Sequence, residues 1–335
     1  MNKKSENRKK NEAYLAFAEE FMNSQTSVAG DTFSSVSNQK TMLLDDKDEF
    51  ESKQILNDKT HNDGAFSNIK TELFFDDLPI SVGASSVVGK RQYQQDSIAI
   101  PDEKKLIYNG KIKMICVLSD GMGGLSGGEL ASGIATKTFF DDYYNKIWKN
   151  ECQSYMDFFK SEADVANERI LGLTDENGEP MHAGATLIAV AADGNEMHFL
   201  NIGDSRIYLI RDGNILQLTH DQNYLAVLNE KVREGEITQE EAISHPKKEA
   251  LISYCGIKEL KLKEINLKPV EMKQGDMVLM CSDGLYRLLS ESEMLDIATK
   301  TSNDMNLAAY KLTAAATNKN YRGQDNTSVV LIKYN

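Results

Sequence analysis

Cysteine is scarce in this chain and never closely spaced: Cys116, Cys152, Cys255 and Cys281 are the four in 335 residues. Without a Cys-x-x-Cys pair, neither a thiolate metal site nor a disulfide framework is expected. Cys116 and Cys281 fall inside apolar strand-like runs, where a free thiol behaves as a small buried hydrophobe. No apolar stretch approaches bilayer-spanning length, and no signal-like apolar core follows the basic start at Met1 to Lys10. A reducing cytoplasm is therefore the expected location. Positive charge is also in short supply, with 38 Lys and Arg against 51 Asp and Glu, a net charge of −13. That balance argues against nucleic acid or an anionic membrane as a partner for the body of the chain.

A hydrophobic fraction of 41% and a charged fraction of 27% are those of a globular protein with a sizeable core. Residues 1–76 differ in texture from the rest. Tyr14, Phe17, Ala18, Phe21 and Met22 fall at helical spacing, so one amphipathic helix is expected there. A weaker helix is expected over 48–56. Ser24 to Lys40, rich in Ser, Thr, Asn and Gly, reads as a flexible linker. Asp45 to Glu51 reads as a solvated acidic cluster. From Leu78 the pattern turns dense. Strands are expected at 80–88, 97–100, 106–107, 112–118, 185–191, 197–202, 207–210, 215–218, 262–267, 277–281 and 328–333. Helices are expected at 129–144, 154–173, 292–299 and 307–318. Thr238 and Glu241 have capping-box spacing, so a helix should start there, end at His245-Pro246, and give way to another short helix reaching Tyr254. Hairpins dominate and helices arrive as consecutive pairs. That order favours an α+β fold with antiparallel sheets and helices packed outside, over a doubly wound parallel sheet.

The most distinctive stretch is Ile112 to Gly128, an apolar run that delivers Asp120 to a glycine-rich segment. Asp-Gly is also an ordinary turn dipeptide, and the chain offers its own comparison. Asp193-Gly194 and Asp212-Gly213 each join two strand-like runs and read as hairpin turns without chemistry. Asp120-Gly121 and Asp283-Gly284 instead follow a buried strand and precede a helix-like segment. In all, five acids stand at strand ends or in Gly-flanked turns: Asp96, Asp120, Asp204, Asp283 and Asp325. Brought together they would repel unless cations neutralised them. An all-oxygen site selects Mg²⁺ or Mn²⁺. Two such ions about 4 Å apart can activate a shared water near neutral pH. Arg91 offers the planar fork that suits a phosphate dianion. The combination describes metal-assisted hydrolysis of a phosphate ester.

Arg91…Gln95-Asp96, Ser119-Asp120-Gly121-Met122-Gly123-Gly124, Gly184-Ala185-Thr186, Gly203-Asp204-Ser205-Arg206, Cys281-Ser282-Asp283-Gly284 and Asp325-Asn326 resemble the ordered motifs of the PPM/PP2C metal-dependent Ser/Thr protein phosphatases. The resemblance runs from about Ile80 to Lys333 and is greatest to the bacterial branch. It implies a central antiparallel β-sandwich flanked by helix pairs, a phosphatase domain over 77–335, and a separate 1–76 segment. Asp120 would bridge two metals, the Gly121 carbonyl would bind the second, and Asp283 and Asp325 would complete the first. Asp96 would hold a water on the metals and Arg91 would grip the substrate phosphate. Asp204 matches a position that helps hold a third, weaker ion. Residues 221–254 correspond to the variable flap. Arg206 reads as a structural ion pair and Gly184-Ala185-Thr186 as close packing.

Two departures stand out. Gln95 replaces the Glu of many relatives, keeping an oxygen but losing a charge. Met122 stands where some relatives carry a His assigned general-acid work, and Met donates no proton. His182 and His220 are read as structural or exposed. The resemblance implies a Mg²⁺- or Mn²⁺-dependent phosphoserine/phosphothreonine phosphatase acting on phosphoproteins, expected to work as a monomer. The alternatives are a pseudophosphatase binding module and a small-molecule phosphohydrolase on the same fold. Retention of Asp96, Asp120, Asp283 and Asp325 favours the enzyme. A chain beginning at Asp77 is expected to stay folded and metal-dependent. Thermal melting and phosphopeptide turnover check this, and insolubility would place 1–76 in the catalytic core.

Overall fold

The computed structural model describes residues 79–123, 127–148 and 154–335. The helices and linker expected within residues 1–76, and Cys152, lie outside the described residues. The strands are β1 (Ile80–Val87), β2 (Asp96–Ala99), β3 (Ile107–Tyr108), β4 (Lys111–Gly123), β5 (Ala183–Ala185), β6 (Leu187–Asp193), β7 (Glu196–Ile202), β8 (Arg206–Arg211), β9 (Asn214–Gln217), β10 (Glu264–Ile265), β11 (Val270–Glu271), β12 (Met277–Cys281) and β13 (Thr327–Tyr334). The α-helices are α1 (Gly127–Asp142), α2 (Tyr155–Leu171), α3 (Tyr224–Arg233), α4 (Gln239–Ser244), α5 (Asp283–Tyr286), α6 (Glu291–Lys300) and α7 (Met305–Asn318). One sheet runs β1-β13-β12-β8-β9, the other β10-β7-β6-β4-β2, and all their pairings are antiparallel.

Two-residue alternation explains how the layers stack. Along β4, Met114, Cys116 and Leu118 face the other sheet, meeting Val278, Met280, Val330 and Ile332 in the sandwich core. Ile115 and Val117 point the opposite way, joining Ala131, Ala135, Phe139, Phe159 and Ala163 of α1 and α2. On β13, Val329 and Leu331 likewise turn outward, onto Leu285, Met294, Ala308 and Leu312 of α5, α6 and α7. Both sheets are thus apolar on both faces, as the expected helix–sheet–sheet–helix layering demands. Cys116, Cys255 and Cys281 are buried free thiols. Among the described residues, no helix is long and apolar enough to cross a membrane.

Some local expectations change. β4 does not stop at Leu118. It continues through Asp120 to Gly123, because Gly121 to Gly123 pair with β5. Asp120 therefore lies within a strand. The helix after it begins at Gly127, and a wider π turn at Tyr143–Ile147 follows α1. The capping box at Thr238 forms and α4 ends before His245. The short helix expected up to Tyr254 does not form. Isolated bridges Asn223↔Leu251 and Ala185↔Cys255 draw the chain there into extended pairing. Of the strand expected over 262–267, Glu264–Ile265 alone pairs, opposite Leu200 and Asn201. Both hairpins form: the second turns on Asp212-Gly213 as read, while the first turns on Gly194-Asn195, since Asp193 still pairs with Glu196. Asp212 and Gly213 both have positive φ, 52° and 76°, which the two-residue turn requires.

The tightest joint between layers is at Gly83 of β1. A Cβ there would lie 2.1 Å from the backbone carbonyl carbon of Met305, at the start of α7. Gly83→Ala is expected to force α7 away from the sheet and destabilise the fold by about 1–3 kcal/mol. Chemical denaturation checks this; an unchanged midpoint would show that the helix shifts without penalty.

Candidate metal centre

Both sheets deliver acids to one end of the sandwich. Asp96 opens β2 and stands directly opposite Asp120 of β4 in the antiparallel register. Like charges so placed repel across the ladder. From the other sheet, Asp283 is the first residue of α5, immediately after β12 and the N-cap Ser282. Asp325 lies two residues before β13, and Asp204 sits in the β7–β8 turn. Ser282 joins the sheets: its hydroxyl donates to Asp96 Oδ2 at 2.8 Å and accepts from the Ser328 amide at 3.0 Å.

Burial, reinforced by neighbouring acids, makes this cluster electrostatically unfavourable. It pushes Asp96 up to about 6 against the opposing hydrogen bonds of Ser328 and Ser282, with Asp325 adding to the rise. Burial carries Asp283 to about 7, opposed by Arg287 and assisted by Asp204, Asp325 and Asp96. Asp120 is driven well above the usual carboxylate range by burial and by Asp96, Asp283, Asp204 and Asp325. Asp204 is raised by burial as well, with Arg287 pulling the other way. Asp120 thus feels each of the other four predicted acids.

The donor set suits hard divalent cations. Asp96 Oδ1 and Asp283 Oδ1 are buried carboxylate oxygens with no hydrogen-bond donor in the structure, a costly condition unless a cation satisfies them. Among the described residues no trio of His, Cys, Asp or Glu is closed into a finished cage. Three of the acids are drawn toward arginines: Asp325 Oδ2 lies 2.5 Å from Arg91 Nη2, and Asp283 Oδ2 and Asp204 Oδ2 lie 3.0 and 3.7 Å from Arg287 Nη2. Orphaned oxygens, an all-oxygen donor set and mutual repulsion fit Mg²⁺ or Mn²⁺.

Backbone and side-chain hydrogen bonds hold the acids in place. The Asp120 amide donates to Thr186 Oγ1 at 2.9 Å, and the Thr186 amide donates back to the Asp120 carbonyl at 2.8 Å. Thr186 thus does more than pack. Packing explains Gly184, where a Cβ would meet the Tyr254 ring at 2.7 Å. It explains Gly121 too, where a Cβ would strike the Gly128 carbonyl oxygen at 2.0 Å. Asn326 accepts from the Gln95 amide at 2.7 Å and donates to the Val88 and Tyr93 carbonyls at 2.9 and 3.0 Å. It thereby shapes the loop that carries Arg91, whose side chain is 56% exposed. Gln95 Nε2 donates to the Gly123 carbonyl at 3.3 Å.

Motif patterns alone assign no role to Ser282, Asn326 or Arg287. Arg287 stands four residues after Asp283, a spacing that places both on one helical face. Arg206 forks onto Asp221 at 2.8 and 2.6 Å, a structural ion pair as read. His182 is exposed, and His220 Nδ1 lies 2.7 Å from Glu264 Oε1.

Antiparallel sandwich, flanking helix pairs and a five-acid end define a class of metal phosphohydrolase, and comparison with known proteins gives the family. The family model described as Protein phosphatase 2C matches residues 85–315. The protein phosphatase PhpP of Streptococcus pneumoniae is 34% identical over 230 residues, covering 67% of this chain and 87% of that one. The serine/threonine phosphatase stp of Listeria welshimeri is 30% identical over 221 residues, covering 66% and 84%. Among solved structures, the S. agalactiae serine/threonine phosphatase superposes with a TM-score of 0.65 at 26% identity, covering 76% of this chain and all of that one. The catalytic domain of the phosphatase PstP, in complex with two manganese ions, gives 0.58 at 25% identity, covering 76% and 97%. The chain belongs to the protein phosphatase 2C family.

A pH prediction follows from the raised acids. Their folded pKa values lie above the 3.8 of an ordinary Asp, so the folded chain binds protons more tightly than the unfolded one. In chelator, their contribution should therefore destabilise the fold progressively as pH rises from about 4 to about 7. Asp120→Asn is expected to melt higher than the wild type in EDTA, with a gap that widens over this range. Thermal melts with and without Mn²⁺ check it; a variant that is less stable in EDTA at every pH would show that repulsion is not the governing effect.

Proposed function

We propose that this chain hydrolyses phosphoserine and phosphothreonine in proteins, using divalent ions held by Asp120, Asp283, Asp325 and the Gly121 carbonyl. The observation that carries the reading is the pair of buried, donorless carboxylate oxygens on Asp96 and Asp283, beside Asp120, whose pKa is raised by burial and by the other four acids. The names of the relatives, serine/threonine phosphatases of several bacteria, support the substrate class. The PstP structure with two manganese ions supports a pair of Mn²⁺ or Mg²⁺ here. When bound, such ions supply Lewis acidity that lowers the pKa of a water nucleophile and offsets phosphate charge.

The chain's own groups divide the remaining work. Arg91 is tethered by one carboxylate and otherwise exposed, so its guanidinium can turn its fork to a phosphate dianion arriving from solvent. Asp96 Oδ1 is placed to accept a hydrogen bond or a proton from the attacking water, while Ser282 fixes its other oxygen. Met122 supplies no proton, so the leaving alkoxide takes its proton from metal-bound water or another group. The phosphatase domain spans 77–335 and includes the flap over 221–254, whose neck is the Asn223↔Leu251 bridge. Buried unpaired thiols suit a reducing cytoplasm.

On a phosphothreonine peptide, turnover is expected to vanish in EDTA and return with Mn²⁺ or Mg²⁺. Arg91→Lys keeps the charge but loses the fork, so KM should rise more than kcat falls, with kcat/KM reduced about tenfold. Full activity in EDTA would overturn the reading. Turnover of p-nitrophenyl phosphate without turnover of any phosphopeptide would point to a small-molecule substrate.

A further inference from the structure

Both roots of the flap reach the site through the same four-residue helix, α5. Arg206, forked onto Asp221 at the first root, has its guanidinium carbon 3.6 Å from the centroid of the Tyr286 ring. Arg287, the next residue, donates from Nη1 to Glu249 Oε2 of the second root at 2.8 Å. Its Nη2 lies 3.0 Å from Asp283 Oδ2 and 3.7 Å from Asp204 Oδ2. Asp204 and Asp283 are 5% and 9% exposed. A buried pair of like charges needs a counter-charge, and this guanidinium, charged at every relevant pH, is already between them. Asp283 divides its oxygens: Oδ2 faces Arg287, whereas Oδ1 has no donor.

We propose that Arg287 is a built-in cation standing where a further metal ion would otherwise bridge Asp204 and Asp283, and that it ties the flap to the site through Glu249. The proposal rests on the metal-site reading above and corrects one part of it, since Asp204 then holds Arg287 rather than a third ion. A guanidinium and a divalent ion are alternative partners for the same two carboxylates and cannot occupy the same place. Arg287 touches neither of the orphaned oxygens, so it is a positioning residue. An isolated exposed pair such as Arg287–Glu249 would hold little. Here the arginine is anchored from behind by two buried acids, so its fork is already in place when Glu249 meets it. The flap is thereby pinned by a charge the protein always carries, and its position does not depend on the concentration of free metal.

The test uses the full chain and Mn²⁺ alone as the probe. Calorimetric titration is expected to show Arg287→Gln binding one more Mn²⁺, weakly, than the wild type. Arg287→Lys, which keeps the charge, should bind the wild-type number. Hydrogen exchange in EDTA reads the tether separately. The Ala250 and Ile252 amides, bonded to Lys247 and Gln222 carbonyls, should exchange about threefold or more faster in Arg287→Gln and in Glu249→Gln. Glu249→Gln should leave the ion count unchanged. An unchanged count and unchanged exchange in Arg287→Gln would overturn the proposal. So would a wild-type chain that itself fills a site requiring both Asp204 and Asp283. Failure of the wild type to bind any Mn²⁺ would strike the metal-site reading and the substitution of a cation by Arg287 with it, while the exchange measurement would still decide the tether.

Discussion

Five carboxylates held together at the end of a β-sandwich repel one another, and the rest of the structure is arranged to withstand that repulsion. Asp96 and Asp120 face each other across one ladder, while Asp283 and Asp325 approach from the other sheet. A loop site would relax by swinging its acids into water. Here the acids cannot do so, because their backbones belong to strands, to turns fastened to strands, or, for Asp283, to a helix that follows a strand directly. The resisting force is apolar: three clusters, one between the sheets and one outside each. Each fully buried large side chain contributes about 1.5–3 kcal/mol, so a few such residues offset a strained acid. The arrangement keeps the field of the acids concentrated where a divalent ion can relieve it.

The polar residues between the acids explain why the geometry is maintained. Ser282 bonds to one sheet's acid and to the other sheet's backbone. Thr186 exchanges two hydrogen bonds with Asp120 and shares a third with Ser205 at 2.8 Å. Asn326 uses both ends of its amide on the loop carrying Arg91. Each is buried or nearly so and neutral. A charged residue in any of these places would add to the repulsion or neutralise an acid before a metal could.

Much of this was legible in the residues. The antiparallel order, the outer helix pairs and the convergence of the acids followed from hairpin turns, periodicity and motif order. What was not legible has physical reasons. Leu118 reads as the end of β4 because Asp and Gly usually punctuate a strand. The pairing that carries the strand on to Gly123 comes from β5, some sixty residues away in the chain. A helix was expected before Tyr254 because the local residues tolerate one, yet two distant bridges pull the chain straight. Arg287 resembles any surface residue of a short helix, and although Asp283 is only four residues back, Asp204 and Glu249 come from distant stretches of sequence. Local propensity cannot report partners that tertiary structure brings together.

One departure from the family pattern, Gln95, acquires meaning in the same electrostatic terms. Gln95 spans from the first loop to the Gly123 carbonyl and packs so closely on α1 that a Cβ at Gly128 would lie 2.5 Å from its Nε2. A Glu in that pose would aim a carboxylate at a carbonyl oxygen and add a sixth acid to a cluster already driven to protonate. As an amide, Gln95 donates where a carboxylate could not. The site also contains an internal cation in Arg287, so its net negative charge is lower than a count of its acids implies. A cluster with less negative charge holds divalent ions less tightly but folds more readily without them. Gln95 and Arg287 therefore ease part of the repulsion among the acids, and would do so at the expense of how tightly the cluster holds divalent ions.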